Sequence, residues 1–242
     1  MNIVGATDKG LVRAVNEDSF DFGSFNDGAA WAIVCDGMGG VRGGHIASNL
    51  VSSIVSDKIK KCYNKLMPSY SFENVFLSTI TTANVIVNDR SFIDEELKGM
   101  GTTIAAVIVK AGIACVAHVG DSRVYKISDN KIEQLTKDHS LAQEMLDRGQ
   151  LTPEEFENYP KKNIITRAVG VDEKVEIDFD FTELSEGEAL IICSDGLSNL
   201  VSDEKMLEIF NENKLDNVCE KYIEEANRNG GYDNITVVVM KG

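Results

Sequence analysis

The stretch GTTIAAVIVKAGIACVAHVGDSRVYKISDNKIEQL, residues 101–135, decides the fold. Thr102–Val109, Ile113–Val119, Arg123–Ile127 and Lys131–Leu135 are short runs rich in β-branched residues, the composition of strands. Their separators are tight: Lys110-Ala111-Gly112, Gly120-Asp121-Ser122 and Asp129-Asn130. Gaps this short cannot hold a crossover helix, so the strands are antiparallel. A doubly wound parallel sheet is thereby disfavoured.

On the N-terminal side, Ile3–Ala6 and Ala29–Cys35 read as strands flanking a polar, Gly-containing stretch. Ala47, Leu50, Val51, Ile54, Val55, Ile59 and Cys62 then recur at three- and four-residue spacing and predict a helix. Phe72 through Val87 repeats the pattern. On the C-terminal side, Ser140 with Gln143 and Thr152 with Glu155 are capping boxes, the second with Pro153 at the first helical position. Segment 140–163 has few long apolar runs and reads as a surface insertion. Strands return at Val175–Phe181 and Ala189–Ser194, helices near Asp203–Asn211 and Leu215–Asn227, and a last strand at Ile235–Met240. No linker, repeat or low-complexity tract divides the chain, so 1–242 is expected to be a single domain. This order fits an α+β fold, a central sandwich of two antiparallel β-sheets flanked by helix pairs.

Composition bounds the function. The chain has 24 Lys+Arg against 39 Asp+Glu, a formal net charge of −15, which argues against nucleic acid and anionic lipid as partners. No apolar run reaches the roughly 18 residues of a membrane helix, and MNIVGATDKG does not read as a signal peptide. Of five cysteines, Cys35, Cys115 and Cys193 sit inside apolar runs. An odd number placed this way reads as small buried hydrophobes in a reducing cytoplasm, not as a disulfide frame. With no oligomer signal, a monomer is expected.

Four aspartates hold a peculiar place. Asp36 and Asp195 each end an apolar run and precede a glycine, Asp121 follows Cys-Val-Ala-His-Val-Gly, and Asp233 comes just before Ile-Thr-Val-Val-Val-Met. In an antiparallel sheet such ends can share one edge, so the four carboxylates can converge. Like charges in low dielectric repel, and a divalent cation relieves them. Oxygen-only ligands suit Mg²⁺ or Mn²⁺ better than Zn²⁺, and Gly37 would let a backbone carbonyl reach the same ion. A single Asp-Gly is ordinarily a turn; four aspartates at strand ends are harder to explain so. Arg13, among Asp8, Glu17 and Asp18, is either a surface ion pair or a bidentate phosphate clamp beside that cluster.

Competing chemistries fit less well. A thiol phosphatase spaces Cys five residues before Arg in a phosphate loop, whereas six residues separate Cys35 from Arg42 and seven separate Cys115 from Arg123. Asp178-Phe-Asp-Phe-Thr182 matches an aspartyl-nucleophile pattern, but it alternates like a strand and only about sixty residues follow, too few for the large domain such enzymes need. His45, His118 and His139 have no metal-ligand spacing on a helix, and no Gly-x-Ser-x-Gly elbow is present.

Taken in order, TDKGLVRAVNED (7–18), VCDGMGG (34–40), GTT (101–103), HVGDSR (118–123), KDHSL (137–141), TRAVG (166–170), CSDGL (193–197) and YDNIT (232–236) form a set. The sequence resembles the metal-dependent protein phosphatase family, type 2C, in its compact bacterial form. The resemblance implies a phosphoserine/phosphothreonine protein phosphatase with a dinuclear Mg²⁺ or Mn²⁺ site, in which a water bridging the metals attacks phosphorus directly. It implies metal ligation by Asp36, Gly37, Asp195 and Asp233, with Asp121 and Asp195 sharing a third, weaker ion. Glu17 and Asp18 would hold metal-bound waters, Arg13 would clamp the substrate phosphate, and 140–170 would be the variable flap. The implied partners are phosphorylated proteins and an opposing Ser/Thr kinase. Some relatives carry His after the Asp-Gly as general acid; here the residue is Met38, which leaves a metal-bound water or His139 for that role. A non-catalytic binding module would have lost a core ligand, and none is missing; a phosphatase of small metabolites stays open.

Overall fold

Along Ala30–Cys35 the side chains alternate in size as well as direction. Ala30, Ala32 and Val34 belong to one buried cluster, Trp31, Ile33 and Cys35 to another. A strand buried on both faces needs a layer on each side. The computed structural model, which describes residues 1–40, 42–157, 159–161 and 163–242, supplies both.

The chain begins with β1 (Asn2–Asp8), β2 (Ser19–Ser24), β3 (Ala30–Cys35) and β4 (Gly37–Met38), then α1 (Gly43–Cys62) and α2 (Phe72–Ile93). Next come β5 (Gly101–Thr102), β6 (Ile104–Lys110), β7 (Ile113–Val119), β8 (Arg123–Ser128) and β9 (Lys131–Gln134), with α3 (Leu141–Asp147) and α4 (Pro153–Glu157) after them. The remainder is β10 (Asp178–Glu183), β11 (Ala189–Cys193), α5 (Asp195–Ser198), α6 (Asp203–Glu212), α7 (Leu215–Arg228) and β12 (Ile235–Lys241). One sheet runs β1-β12-β11-β8-β9 and the other β10-β7-β6-β3-β2, each pairing antiparallel. Between them Ala30, Ala32, Ala105 and Ala114 pack with Val124, Leu190, Ile192 and Val238. Outside, α1 and α2 cover the second sheet through Val51, Phe76 and Ile80, and α6 and α7 cover the first through Met206, Val218 and Tyr222. The expected α-β-β-α sandwich is therefore the architecture of this chain.

The structure redraws four details. Residues 19–24, expected to be a polar connection, form edge strand β2; Phe20 and Phe22 pack inward, and an edge position tolerates Asp21 and Gly23 between them. β10 starts at Asp178, because Val175 and Ile177 pack against the helix-side cluster before the ladder begins. A short helix, α5, which the apolar pattern does not predict, follows β11. Last, β6 pairs with β7 and β8 with β9, but β7 and β8 lie in opposite sheets. The link Gly120-Asp121-Ser122 crosses the sandwich, and Gly120 turns it with φ of +106°, where a Cβ would sit 2.5 Å from Thr103 Cγ2.

The insertion is built as its caps predict. The Gln143 N–H donates to Ser140 Oγ at 3.2 Å, and Thr152 and Glu155 cap each other reciprocally at 2.8 and 3.2 Å. Its base is tied to the body by Leu141 N–H to Ile164 O and Thr166 N–H to His139 O, both 2.8 Å. All five cysteines are free, and only Cys62 is exposed. Among the described residues no helix is long and apolar enough to cross a membrane.

Candidate active site

Four strand ends deliver the predicted carboxylates to one end of the sandwich. Asp36 leaves β3, Asp121 lies on the β7–β8 link, Asp195 opens α5 directly after β11, and Asp233 sits two residues before β12. Asp18, just ahead of β2, joins them and is buried. The electrostatics show how close they are. Burial, then repulsion from Asp18, Asp195, Asp121 and Asp233, holds the Asp36 carboxyl well above the usual range. Burial, then Asp195 and Asp138, does the same to Asp121. Burial and Asp233 push Asp195 up to about 6. Asp18 is pushed up to about 7 by burial and by Asp195 and Asp233, although Ser194 Oγ donates to its Oδ2 at 2.8 Å.

This nest fits a divalent cation. Asp18 Oδ1 and Asp195 Oδ1 are buried without a hydrogen-bond partner, and such oxygens are costly unless something positive meets them. The side chains brought together are carboxylates, a hard-ion donor set. At Gly37 the backbone is tightly packed: a Cβ there would run into Gly44 O and lie 2.6 Å from Glu17 O.

Threonines and one asparagine hold the parts together. The Asp36 N–H donates to Thr103 Oγ1 at 2.9 Å, the Thr103 N–H returns to Asp36 O at 2.8 Å, and Thr102 Oγ1 donates to the same carbonyl at 2.8 Å. Thr103 Oγ1 also meets Ser122 Oγ at 2.6 Å, which ties the Asp36 strand end to the Asp121 link. Asn234 Nδ2 donates to Lys9 O (2.9 Å) and Val15 O (3.0 Å), while its Oδ1 accepts from the Glu17 N–H (2.8 Å). One side chain thus moors the whole 9–17 loop beside Asp233. Asn234 and Thr103 lie inside the motifs YDNIT and GTT, whose sequence alone assigns them no role. The available signal was a polar residue at the edge of a buried strand, which must find partners.

On that moored loop Arg13 Nη2 donates to Asp233 Oδ2 at 2.7 Å, with half of its side chain exposed. The hydrogen bond to Asp233 raises the guanidinium further, so it stays charged. Arg13 is thus an ion pair, and its partner is one of the converging carboxylates. Glu17 also reaches the site, its Oε1 against the start of α1 at Gly44.

His118, His139 and Asp178 gather behind Asp121, close enough to suggest a metal set. Their hydrogen bonds describe a clamp. The Gly120 N–H donates to His139 Nδ1 at 3.1 Å, so the ring proton is on Nε2, which points at Asp178 Oδ2 at 3.1 Å. That tautomer has no lone pair left for a metal. His118 Nε2 donates to Gly120 O at 2.8 Å, and the His139 N–H reaches the same oxygen at 2.8 Å. Burial, then His139, lowers the His118 ring to about 4, and burial lowers His139. Two neutral imidazoles thus grip the glycine before Asp121. His139 has both ring nitrogens engaged, Nδ1 by Gly120 and Nε2 by Asp178 with Arg167 Nη1 3.3 Å away.

A cavity of about 830 Å³ opens in front of the carboxylates. Asp121, Asp195 and Asp233 line one wall, and Phe156, Tyr159 and Pro160 of the insertion line another. Convergent carboxylates beside a fixed guanidinium, at the mouth of a cleft that a peptide can enter, describe a metal-dependent phosphatase. The comparisons with known proteins agree. The model of the family described as protein phosphatase 2C matches residues 12–234. The serine/threonine phosphatase stp of Listeria monocytogenes serotype 4b is 38% identical over 236 residues, 97% of this chain and 93% of that one. The Streptococcus agalactiae serine/threonine phosphatase structure superposes with a TM-score of 0.91 at 36% identity, covering 98% of both chains. The PstP catalytic domain, solved with two manganese ions, superposes with a TM-score of 0.85 at 33% identity, covering 98% of this chain and 96% of that one. The chain belongs to the protein phosphatase 2C family and is a metal-dependent serine/threonine protein phosphatase.

Proposed function

We propose that this phosphatase hydrolyses phosphoserine and phosphothreonine in proteins with Asp36, Asp195, Asp233 and the Gly37 carbonyl holding two Mg²⁺ or Mn²⁺ ions. Asp121 with Asp195 takes a third ion more weakly. The observation that carries the reading is the nest of mutually repelling carboxylates with two orphaned oxygens, set beside Arg13. Divalent cations, when bound, polarise phosphoryl oxygens and make water a nucleophile near neutral pH.

The residues do the rest. Glu17 and Asp18 accept hydrogen bonds from water and orient it. Arg13 exchanges part of its contact with Asp233 for the equatorial phosphoryl oxygens, and its fork fits the charge that spreads over them in the transition state. The nucleophile candidates of the competing chemistries are poorly placed for a covalent route: burial pushes the Cys115 and Cys193 thiols up to about 12, and Asp178 is committed to His139 and Arg167 on an edge strand. Residues 1–242 act as one catalytic domain with the flap at 140–170, as a monomer. The physiological setting is the cytoplasm, opposing a Ser/Thr kinase; the free cysteines support a reducing compartment.

The test is hydrolysis of p-nitrophenyl phosphate and a phosphothreonine peptide with Mn²⁺. Both reactions are expected to stop in excess EDTA and to fall at least about 100-fold in Asp36→Asn. Full activity under either condition overturns the proposal.

A further inference from the structure

Around Arg13 the surface leaves large apolar side chains bare. Leu11 is 68% exposed, Val12 64% and Tyr232 65%. They belong together. The Leu11 N–H donates to Gly231 O at 2.8 Å, the Leu11 side chain lies against Gly231, and Arg13 reaches Asp233 at 2.7 Å. Segments 10–13 and 231–233 therefore run side by side, and the three exposed apolar side chains flank the Arg13–Asp233 pair in the chain. Tyr232 also forms part of the wall of the catalytic cavity. Single exposed apolar residues are ordinary; a group of them beside one functional cation marks a contact surface.

We propose that Leu11, Val12 and Tyr232 form an apolar collar that receives an apolar side chain flanking the phosphorylated residue of a protein substrate. This rests on the phosphatase reading above. The occupant follows from the reaction. A phosphate held at Arg13 fixes the position of its own residue, and in an extended chain the next residues follow at about 3.3 Å each with side chains alternating in direction. The immediate neighbours of the phosphoresidue must then pass over segments 10–13 and 231–233. Apart from the Tyr232 phenol the collar offers no side-chain hydrogen-bonding group. A polar flanking side chain would lose water there without replacement, whereas an apolar one gains by covering the collar. Selectivity is the difference between the two.

The test compares two phosphothreonine peptides, identical except that leucine or serine flanks the phosphoresidue on both sides, in the Mn²⁺-loaded enzyme. The leucine peptide is expected to show kcat/KM about fivefold higher, mostly through KM, at the low end of what one apolar contact discriminates. In the double variant Leu11→Ser/Tyr232→Ser the two peptides should agree within about twofold. Leu66→Ser is the control. Leu66 is also exposed but lies at the opposite end of the sandwich, where Lys110 Nζ donates to Lys65 O and Met67 O, and its variant should keep the preference. Equal rates in the unmodified enzyme, or a preference that survives the double substitution, overturn the collar alone. Hydrolysis of neither peptide overturns the phosphatase reading and the collar with it.

Discussion

Asn234 commits its whole side chain to the backbone of residues 9–17, and that loop carries Arg13. Asn234→Ala leaves two carbonyls and one N–H unpaired in a buried place, which costs about 2 kcal/mol. Urea unfolding should show that loss, and KM for a phosphothreonine peptide should rise as the Arg13 loop loosens. Asn234→Asp keeps the acceptor for Glu17 but sets an oxygen against Lys9 O and Val15 O, so it should lose at least as much. If both variants match the parent in KM, the mooring role is wrong. Asp36 and Asp195 were legible in the sequence because each ends an apolar run, so burial and charge collide at a visible place. Asn234 and Thr103 were not, because what defines them is partners far along the chain: Val15 is 219 residues from Asn234, and Asp36 is 67 from Thr103. The sequence leaves His139 with two roles, and in the structure its ring joins Gly120 to Asp178.

At the scale of elements, the site is a set of strand ends. Asp195 and Asp18, pushed up to about 6 and about 7, lie above the roughly 3.9 of an unfolded aspartate. An acid raised by folding favours the folded state only while protonated. Its contribution is complete below about pH 4 and is lost as pH climbs through 6 and 7. A cation needs the ionised oxygens, so it restores most where the metal-free protein has lost most. The rise in Tm on replacing EDTA with Mn²⁺ should therefore be larger at pH 8 than at pH 5.5; an equal rise at both would contradict the carboxylate nest. The β7–β8 link gives a second expectation. Gly120→Ala places a Cβ on Thr103 at a φ of +106° and should destabilise the fold by about 2–3 kcal/mol in urea. Short separators correctly announced antiparallel neighbours within 101–135. They could not announce that one separator changes sheets, because a three-residue link is compatible with a hairpin and with a crossing. Edge strand β2 was equally hidden, since an edge needs only one apolar face and shows too few apolar residues to count.

For the molecule as a whole, the −15 charge surrounds a site that must admit a phosphate. At long range an anionic substrate is repelled, and screening relieves this as salt rises. Raising ionic strength from about 20 to about 200 mM, where the Debye length shrinks from about 20 to about 7 Å, should increase kcat/KM for an acidic phosphopeptide and decrease it for a basic one. The same direction for both would show that the global field is irrelevant. The sandwich carries a mechanical consequence too. Asp36 leaves one sheet, Asp195 and Asp233 belong to the other, and Asp121 rides the link between them. The gap between the sheets, lined by Ala30, Ala32, Ala105 and Ala114, is thus the ruler that spaces the carboxylates. A bulkier residue at any of these alanines would work as a wedge, splaying the site from deep inside without touching it. A cation gripped from both sheets would act as a rivet across the open end, so the seam's width and the site's affinity are two readings of one dimension.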